Sequence, residues 1–167
     1  IHNRGVASTT DYHNTNIDIL YGPFELGGNW DFTADHSIEG GYPTSAIFTR
    51  WSGDVNNDGI DDFAFGDGGY TWTYTDPFTG ITQNRSQAGK VSVFTGSNDP
   101  STNPNDLDDA WWSVRGVHYN NYVQFSTITD IDADGNMDII VGCKGDQLSV
   151  YQTSMFYGPL PNIADID

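Results

Sequence analysis

Residues 54–66 read DVNNDGIDDFAFG, and residues 130–142 read DIDADGNMDIIVG. Each stretch begins with a polar loop of nine residues and continues into a short apolar run that ends in Gly. The two copies lie 76 positions apart, and self-similarity over such a distance is the signature of repeated structural units. The fold of the chain is therefore expected to be built around these two loops.

The segments that flank the loops alternate between apolar and polar residues, which is typical of half-buried strands. This alternation occurs at Val91–Phe94, Val123–Ile128 and Leu148–Tyr151, whereas no segment shows helical periodicity. The sequence therefore predicts an all-β fold of antiparallel strands.

A second pair of matching segments sets the size of the repeat. Lys90–Phe94 (KVSVF) matches Gln147–Tyr151 (QLSVY) 57 positions later, and a polar insertion at residues 68–88 accounts for the difference from 76. A unit of about 57 residues suits one four-stranded β-propeller blade. We predict a single β domain with a degenerate or partial repeat at 1–44, a repeat with the insertion at 45–115, and a repeat with the start of a further unit at 116–167.

The chemistry of the chain is concentrated in the two loops. Each loop has oxygen-bearing side chains at its first, third, fifth and ninth positions and a seventh residue whose carbonyl can face inward. Gly at the sixth position is expected to allow the sharp reversal of the loop through a positive φ. Six to eight oxygen ligands, completed by water, suit Ca²⁺, whereas Mg²⁺ demands a stricter octahedron. We predict two calcium sites, made by Asp54, Asn56, Asp58, Asp62 and the Ile60 carbonyl in the first loop and by Asp130, Asp132, Asp134, Asp138 and the Asn136 carbonyl in the second. The second loop, with one more carboxylate, should bind calcium more tightly.

Two other interpretations of the loops compete with calcium binding. Asn-Asp-Gly is a strong hairpin-turn signal by itself, so metal-free Asx-rich turns are one alternative. An EF-hand is the other, but its twelfth position requires a bidentate Glu. Here Phe65 and Val141 occupy that position within apolar runs, so each loop is expected to join two strands.

This order of elements resembles the FG-GAP repeat of integrin α-chain β-propellers and their microbial relatives. The resemblance covers about residues 45–160 and depends on the Asp-x-Asx-x-Asp-Gly-x-x-Asp loops, the apolar strand after each loop, and Val-Ser-Val-Phe at 91–94. Phe65-Gly66 fits the family's Phe-Gly, while Asp67-Gly68-Gly69 and Cys143-Lys144-Gly145 replace Gly-Ala-Pro. The resemblance implies propeller-like blades in which these loops bind calcium, and an extracellular or cell-surface module that serves structure or adhesion.

Composition and charge exclude several classes of protein. The chain has 23 acidic residues against six Lys and Arg, a net charge of −17, whereas binding to nucleic-acid phosphates needs clustered basic residues. No run approaches the roughly 20 apolar residues of a membrane span. Cys143 is the only cysteine, so metal instead of a disulfide is the expected stabiliser.

The number of repeats raises a question of assembly. Two repeats and part of a third do not close a propeller ring, and family propellers have about seven blades. Open ends expose strand edges, which invite pairing with other chains. Either the chain is a fragment of a larger polypeptide, or subunits complete one another head to tail in a ring or filament.

The aromatic residues suggest a different class of function, the binding of a glycan or a protein ligand. Tyr70, Trp72, Tyr74 and Phe78 lie in or beside the insertion, where exposed rings can stack on sugars or anchor a partner. At least one residue of Trp111-Trp112 is expected in the core, because neighbouring strand residues face opposite ways.

Two further patterns concern modification and catalysis. Asn84-Arg85-Ser86 is an N-glycosylation acceptor within the insertion. No enzyme is predicted, because the adjacent carboxylates Asp61-Asp62 and Asp108-Asp109 would face opposite ways on strands and the four His have no metal-ligand spacing. An accessory domain of a polysaccharide-active enzyme is the remaining alternative.

Overall fold

The computed structural model describes residues 2–5, 15–19, 36–38, 47–99, 104, 106–118, 120–123, 125–144 and 151–161. Apart from one 3₁₀ turn at Leu107–Asp109, the regular structure in these ranges consists of β-strands, and the all-β prediction is confirmed. The strands are β1 His2–Gly5, β2 Thr15–Ile19, β3 His36–Ile38, β4 Ile47–Gly53, β5 Asp62–Asp67, β6 Trp72–Thr75, β7 Thr82–Arg85, β8 Lys90–Phe94, β9 Trp112–Arg115, β10 Phe125–Thr129, β11 Asp138–Lys144 and β12 Tyr151–Phe156. Within the same ranges no helix is long and apolar enough to span a membrane.

The largest sheet has four antiparallel strands in the order β4-β5-β8-β9. All five residues of the central strand β8 are buried. Both faces of the strand are covered, since Val91 and Val93 join one apolar cluster and Phe94 joins another. The first loop, residues 54–62, joins β4 to β5. The insertion forms a separate hairpin of β6 and β7, so β5 and β8 pair directly across it.

The second sheet has three antiparallel strands in the order β10-β11-β12. The second loop, residues 130–138, joins β10 to β11 as the first loop joins β4 to β5. Phe63 on β5 pairs with Phe94 on β8, and Ile139, which is 76 positions after Phe63, pairs with Phe156 on β12. The strand register therefore makes β12 the equivalent of β8.

This register corrects one sequence match. Phe94 corresponds to Phe156, which lies 62 positions further on, and not to Tyr151 at 57 positions. The similarity of Lys90–Phe94 to Gln147–Tyr151 is a coincidence of alternating apolar residues, which many strands share. The better marker follows each strand, because Phe94-Thr95-Gly96 and Phe156-Tyr157-Gly158 occupy the same place.

The N-terminal sheet has the order β1-β2-β3, with β2 in the middle. The sequence Leu20-Tyr21-Gly22-Pro23, which follows β2, is similar to Phe156-Tyr157-Gly158-Pro159 at the end of β12. This similarity favours β2 as the equivalent of β8 and β12. Ile38 on β3 is fully buried in a cluster with Phe65, Phe94 and Ala110. The predicted boundary at residue 44 lies outside the described residues, as do residues 162–167 at the end of the last predicted repeat.

The main core joins the two larger sheets. The Trp112 ring meets Phe156 edge to face, with centroids 5.0 Å apart, and the N–H of Leu160 donates to the Val55 carbonyl at 3.0 Å. Trp112 is fully buried and Trp111 packs partly buried against the same cluster, which confirms the expectation for this pair. The cluster consists of Val55, Ala64, Val91, Val93, Trp112, Val123, Ile128, Ile139, Val141 and Leu160.

Asp67, at the end of β5, gives the fold a pH dependence. It is only 7% exposed, and burial raises the pKa of its carboxyl from 3.8 to about 6 against the opposing hydrogen bonds from Gly69 and Tyr70. Since the folded pKa lies above the unfolded one, the stability due to this proton is complete below about pH 3.8 and is lost as the pH rises through 6.

We therefore expect Asp67→Asn to raise the free energy of unfolding at pH 7.5 by up to about 3 kcal/mol. The amide oxygen of Asn can still accept the Gly69 N–H, which lies 2.8 Å from Asp67 Oδ1, while no charge is buried. Urea unfolding in EDTA at pH 4.5 and 7.5 measures the effect, with Asp99→Asn, an exposed position, as the control for net charge. Equal pH dependence in the two variants would contradict this account.

Candidate metal centre

The two loops have the same backbone path. The fourth residue of each loop has a positive φ, 61° at Asn57 and 62° at Ala133, and the sixth has another, 87° at Gly59 and 93° at Gly135. The positive φ predicted for both glycines is thus confirmed. Two left-handed residues in each loop turn the chain sharply enough for side chains at odd positions to converge.

Backbone N–H groups hold the carboxylate at the first position of each loop. The N–H groups of the fifth and sixth residues donate to the two oxygens of Asp54 at 2.9 and 2.8 Å, and to those of Asp130 at 3.2 and 3.0 Å. The fifth N–H also donates to the third side chain, Asn56 at 2.9 Å and Asp132 at 3.2 Å. The same donors therefore orient the same ligand positions in both repeats.

The ninth residue of each loop is a buried carboxylate that connects the loop to a third strand. Asp62 accepts the Val55 N–H at 2.9 Å and the Gly96 N–H, just after β8, at 2.9 Å. Burial raises the pKa of Asp62, while those hydrogen bonds and the Asn56 N–H oppose the rise. One carboxylate thus holds two elements that are distant in sequence.

Asp138 makes the equivalent contacts in the second repeat. It accepts the Ile131 N–H at 2.7 Å and the Gly158 N–H, just after β12, at 2.9 Å. Sequence reasoning missed the role of Gly96 and Gly158. The signal that could have found them is the Gly two positions after the last Phe of β8 and of β12.

Three of the carboxylates predicted as ligands converge in the second loop. Oxygens of Asp130, Asp132 and Asp138 all lie within 4.8 Å of one another. Two oxygens that are each 2.3–2.6 Å from one calcium ion are at most about 5 Å apart, so this spacing fits a shared cation. In the first loop an amide, Asn56, replaces the third-position carboxylate.

The fifth-position carboxylates are turned toward their neighbours. The Ile60 and Asn136 N–H groups donate to Asp58 and Asp134, each at 2.8 Å. Side-chain amides also donate to them, Asn56 to Asp58 and Asn136 to Asp134, each at 2.9 Å. The two hydrogen bonds from Asn136, backbone first, lower the pKa of Asp134. Asp134 is therefore charged, but it stands outside the group formed by the other three carboxylates.

The two loops lie beside each other. The Asn57 side-chain amide is 3.4 Å from Asn136 Oδ1. In addition, a Cβ on Gly53, just before the first loop, would meet Ile128 and Met137, which flank the second loop. The candidate sites thus occupy one continuous edge of the two sheets.

The aromatic residues predicted as ligand-binding do not form one open surface. The Arg115 guanidinium stacks on Trp72 at 3.8 Å from the ring centroid, Arg85 lies over Tyr74 at 5.6 Å, and Lys90 lies over Tyr70 at 5.0 Å. Three rings are therefore covered by cations of the chain itself. Phe78 differs, because it is 97% exposed at the tip of the β6–β7 hairpin.

The remaining predicted positions are found in different environments. Asn84 lies exposed on β7 opposite Thr73, and its glycosylation stays a prediction. Asp61 is exposed and Asp62 is buried, but only Asp62 lies on a strand, because β5 begins there. Asp108 and Asp109 lie in the 3₁₀ turn and are both exposed, so the expectation that they face opposite ways on a strand is wrong.

Comparison with known proteins gives no family assignment. No model of a known family matches the chain, and no curated protein matches it either. The resemblance to FG-GAP repeats therefore depends on the loops and strand order described above.

The left-handed conformation of Ala133 leads to a test of the loop geometry. An L-residue with a Cβ loses roughly 1–2 kcal/mol in this conformation, and Gly does not. We expect Ala133→Gly to raise the free energy of unfolding by about 1 kcal/mol. Thr129→Gly on the adjacent strand β10 should lower it by roughly 0.5–1 kcal/mol. Urea unfolding of both variants measures the two effects, and destabilisation by both would argue against the loop conformation.

Proposed function

We propose that this chain is a calcium-stabilised extracellular module, built from propeller-like blades, with a structural or adhesive role. The observation that carries the proposal is the duplicated loop, in which the same backbone donors orient the same oxygen-bearing positions at equivalent places in two sheets. In a turn that binds no ligand, each Asp or Asn side chain needs only to accept a hydrogen bond from a nearby backbone N–H. Such a turn gives no reason for several carboxylates to converge. Here three carboxylates share a space that suits one cation.

The donor chemistry favours calcium over other metals. All predicted ligands are carboxylate, amide or carbonyl oxygens, with no nitrogen or sulfur, and hard cations prefer such sets. Nine-residue loops with variable oxygen spacing accommodate Ca²⁺ more readily than the strict octahedron of Mg²⁺. Extracellular modules bind calcium at about 10⁻⁴–10⁻³ M, which suits a site with three convergent carboxylates such as the one in the second loop.

Charge gives the cation a structural role. Seven Asp residues are among the predicted ligands, and two Ca²⁺ would change the formal charge from −17 to −13. Repulsion within each loop is relieved by the ion, and the buried ninth carboxylate transmits the gain to the strand that it contacts. Calcium is thus proposed to stabilise the sheets instead of serving a reaction.

The strand order supports a blade-like unit. Four antiparallel strands, β4-β5-β8-β9, form one sheet, and β10-β11-β12 repeats its first three. Among the described residues no sheet closes on itself. The resemblance to FG-GAP repeats supports the proposal that these sheets are blades of a propeller. The chain would form that propeller either alone or together with further units.

A second candidate function is the binding of a protein ligand through the β6–β7 hairpin. The observation that favours it is the exposed Phe78 at the tip, together with the exposed Ile81 three residues further on, since neighbouring exposed apolar side chains mark contact surfaces and aromatic residues dominate binding energy there.

Calcium titration of the full chain tests the first proposal. Calorimetry should show two sites, and calcium at 100 times the Kd should stabilise the chain by about 2.7 kcal/mol per site. That corresponds to a rise in Tm of roughly 5–10 °C per site. Magnesium at equal concentration should have a smaller effect.

Asp132→Ala isolates the second site, because Asp132 is exposed and its loss should not prevent folding. We expect one calcium site instead of two and about half of the calcium-dependent rise in Tm. Asp99→Ala, another exposed position, should leave both quantities unchanged. If Asp132→Ala behaves like Asp99→Ala, the metal site is wrongly assigned.

A further inference from the structure

The tip of the β6–β7 hairpin is a hydrogen-bonded turn that presents Phe78 to solvent. Asp76 Oδ1 accepts the N–H groups of Phe78 and Thr79 at 2.7 and 3.1 Å, and the Asp76 carbonyl accepts the Gly80 N–H at 2.8 Å. Phe78 is 97% exposed, and Ile81 beside it is 58% exposed. These bonds order the backbone that carries Phe78, so less backbone entropy is lost when a partner covers the ring.

The base of the same hairpin is anchored to the body of the protein. The Trp72 indole N–H donates to the Gly116 carbonyl at 2.9 Å, and Arg115 stacks on the Trp72 ring. An isolated two-stranded hairpin is marginally stable. These two contacts stabilise the β6–β7 hairpin and hold its base against the body of the protein.

Beside that base is a cavity of about 320 Å³ between β9, the segment that follows it, and the face of β11 and β12. Its apolar lining consists mainly of Val114, Val117, Val123, Val141 and Phe156. Arg115 adds a cation, and polar groups come from His118, Asn121, Gln152 and Ser154.

The cavity borders a strand, β12, whose central residues are exposed. In the four-stranded sheet β9 covers β8, and Val91, Ser92 and Val93 are buried. The equivalent β12 residues 153–155 are exposed, and among the described strands β12 pairs only with β11.

Tip and cavity are complementary in size and in charge. A cavity of about 320 Å³ accepts a phenyl ring, and its apolar lining suits one. Hydrogen bonds from Phe78 and Thr79 lower the pKa of Asp76, so a carboxylate stands next to Phe78. The chain has only six Lys and Arg against 23 acids, yet one of those six cations, Arg115, lines this cavity.

The chain's own tip does not fill its own cavity. The hairpin base lies at the cavity through Gly116, and four-residue strands carry the tip about 13 Å away from it. The exposure of Phe78 agrees with this distance.

We propose that the Phe78 tip of one copy of this chain inserts into the β9–β12 cavity of a second copy, with Asp76 facing Arg115. This inference deepens the structural role proposed above and rests on it, but the contact itself needs no calcium ligand. The two surfaces that associate are then the hairpin tip and the cavity. The sequence by itself suggested only that exposed strand edges pair.

Sedimentation equilibrium of the full chain tests the contact. The wild type should associate at chain concentrations of about 1 mM or below, and Phe78→Ser should weaken association roughly tenfold or more. Met155→Ser removes an exposed apolar residue from the edge strand β12 and should have no such effect. A monomeric wild type at about 1 mM overturns the proposal, as does association that Met155→Ser weakens and Phe78→Ser does not.

Cross-linking identifies the partner surface. Cys143 lines the cavity and is the only cysteine of the chain, so Thr79→Cys keeps Phe78 and adds a second thiol at the tip. A short bismaleimide should link the introduced thiol of one copy to Cys143 of another, as seen by mass spectrometry on a mixture of isotope-labelled and unlabelled chains. Thr129→Cys, on an exposed strand position, serves as the control for random collision. Equal cross-linking in the two variants, or links only within one chain, overturns the proposal.

Calcium calorimetry on Phe78→Ser separates this inference from the proposed function. Intact calcium binding with unchanged association would contradict only the tip contact. Calcium binding that is missing in every variant, with association lost only in Phe78→Ser, would contradict only the metal assignment.

Discussion

The structure depends on a buried carboxylate at the ninth position of each polar loop. Asp62 and Asp138 each accept a backbone N–H from the start of their own loop and another from a Gly that follows the third strand of the same sheet. A buried charge is costly unless hydrogen bonds compensate it. Both loops solve this in the same way, and the carboxylate therefore fixes loop, second strand and third strand together.

The two candidate sites are structural partners as well as copies. Their loops touch through Asn57 and Asn136, and the main core continues beneath them through Val55, Ile128 and Ile139. Each loop is therefore supported by contacts with the other repeat as well as by its own sheet. The β6–β7 hairpin is separate from this arrangement, since it interrupts neither the pairing of β5 with β8 nor the core.

Sequence patterns predicted the architecture at the loops better than elsewhere. The spacing of Asp and Gly anticipated the positive φ of Gly59 and Gly135, because few residues tolerate that conformation. The match of β8 to residues 147–151 failed, because alternation of apolar residues specifies a strand but not its register. The orientation of Asp134 away from the carboxylate group was beyond prediction as well, since it depends on local hydrogen bonds from Asn136. Covering of aromatic rings by Arg115, Arg85 and Lys90 depends on tertiary contacts, which no local pattern encodes.

One backbone contact has a consequence for the order of folding. The Leu160 N–H donates to the Val55 carbonyl inside the first loop, although the two residues are 105 positions apart. Closing so large a loop is entropically slow, and contacts of high sequence separation delay folding. During synthesis from the N-terminus, the Asp54–Asp62 loop gains its final backbone partner only after Leu160 has left the ribosome. The first of the two loop-bearing repeats is thus completed only after most of the second has been made.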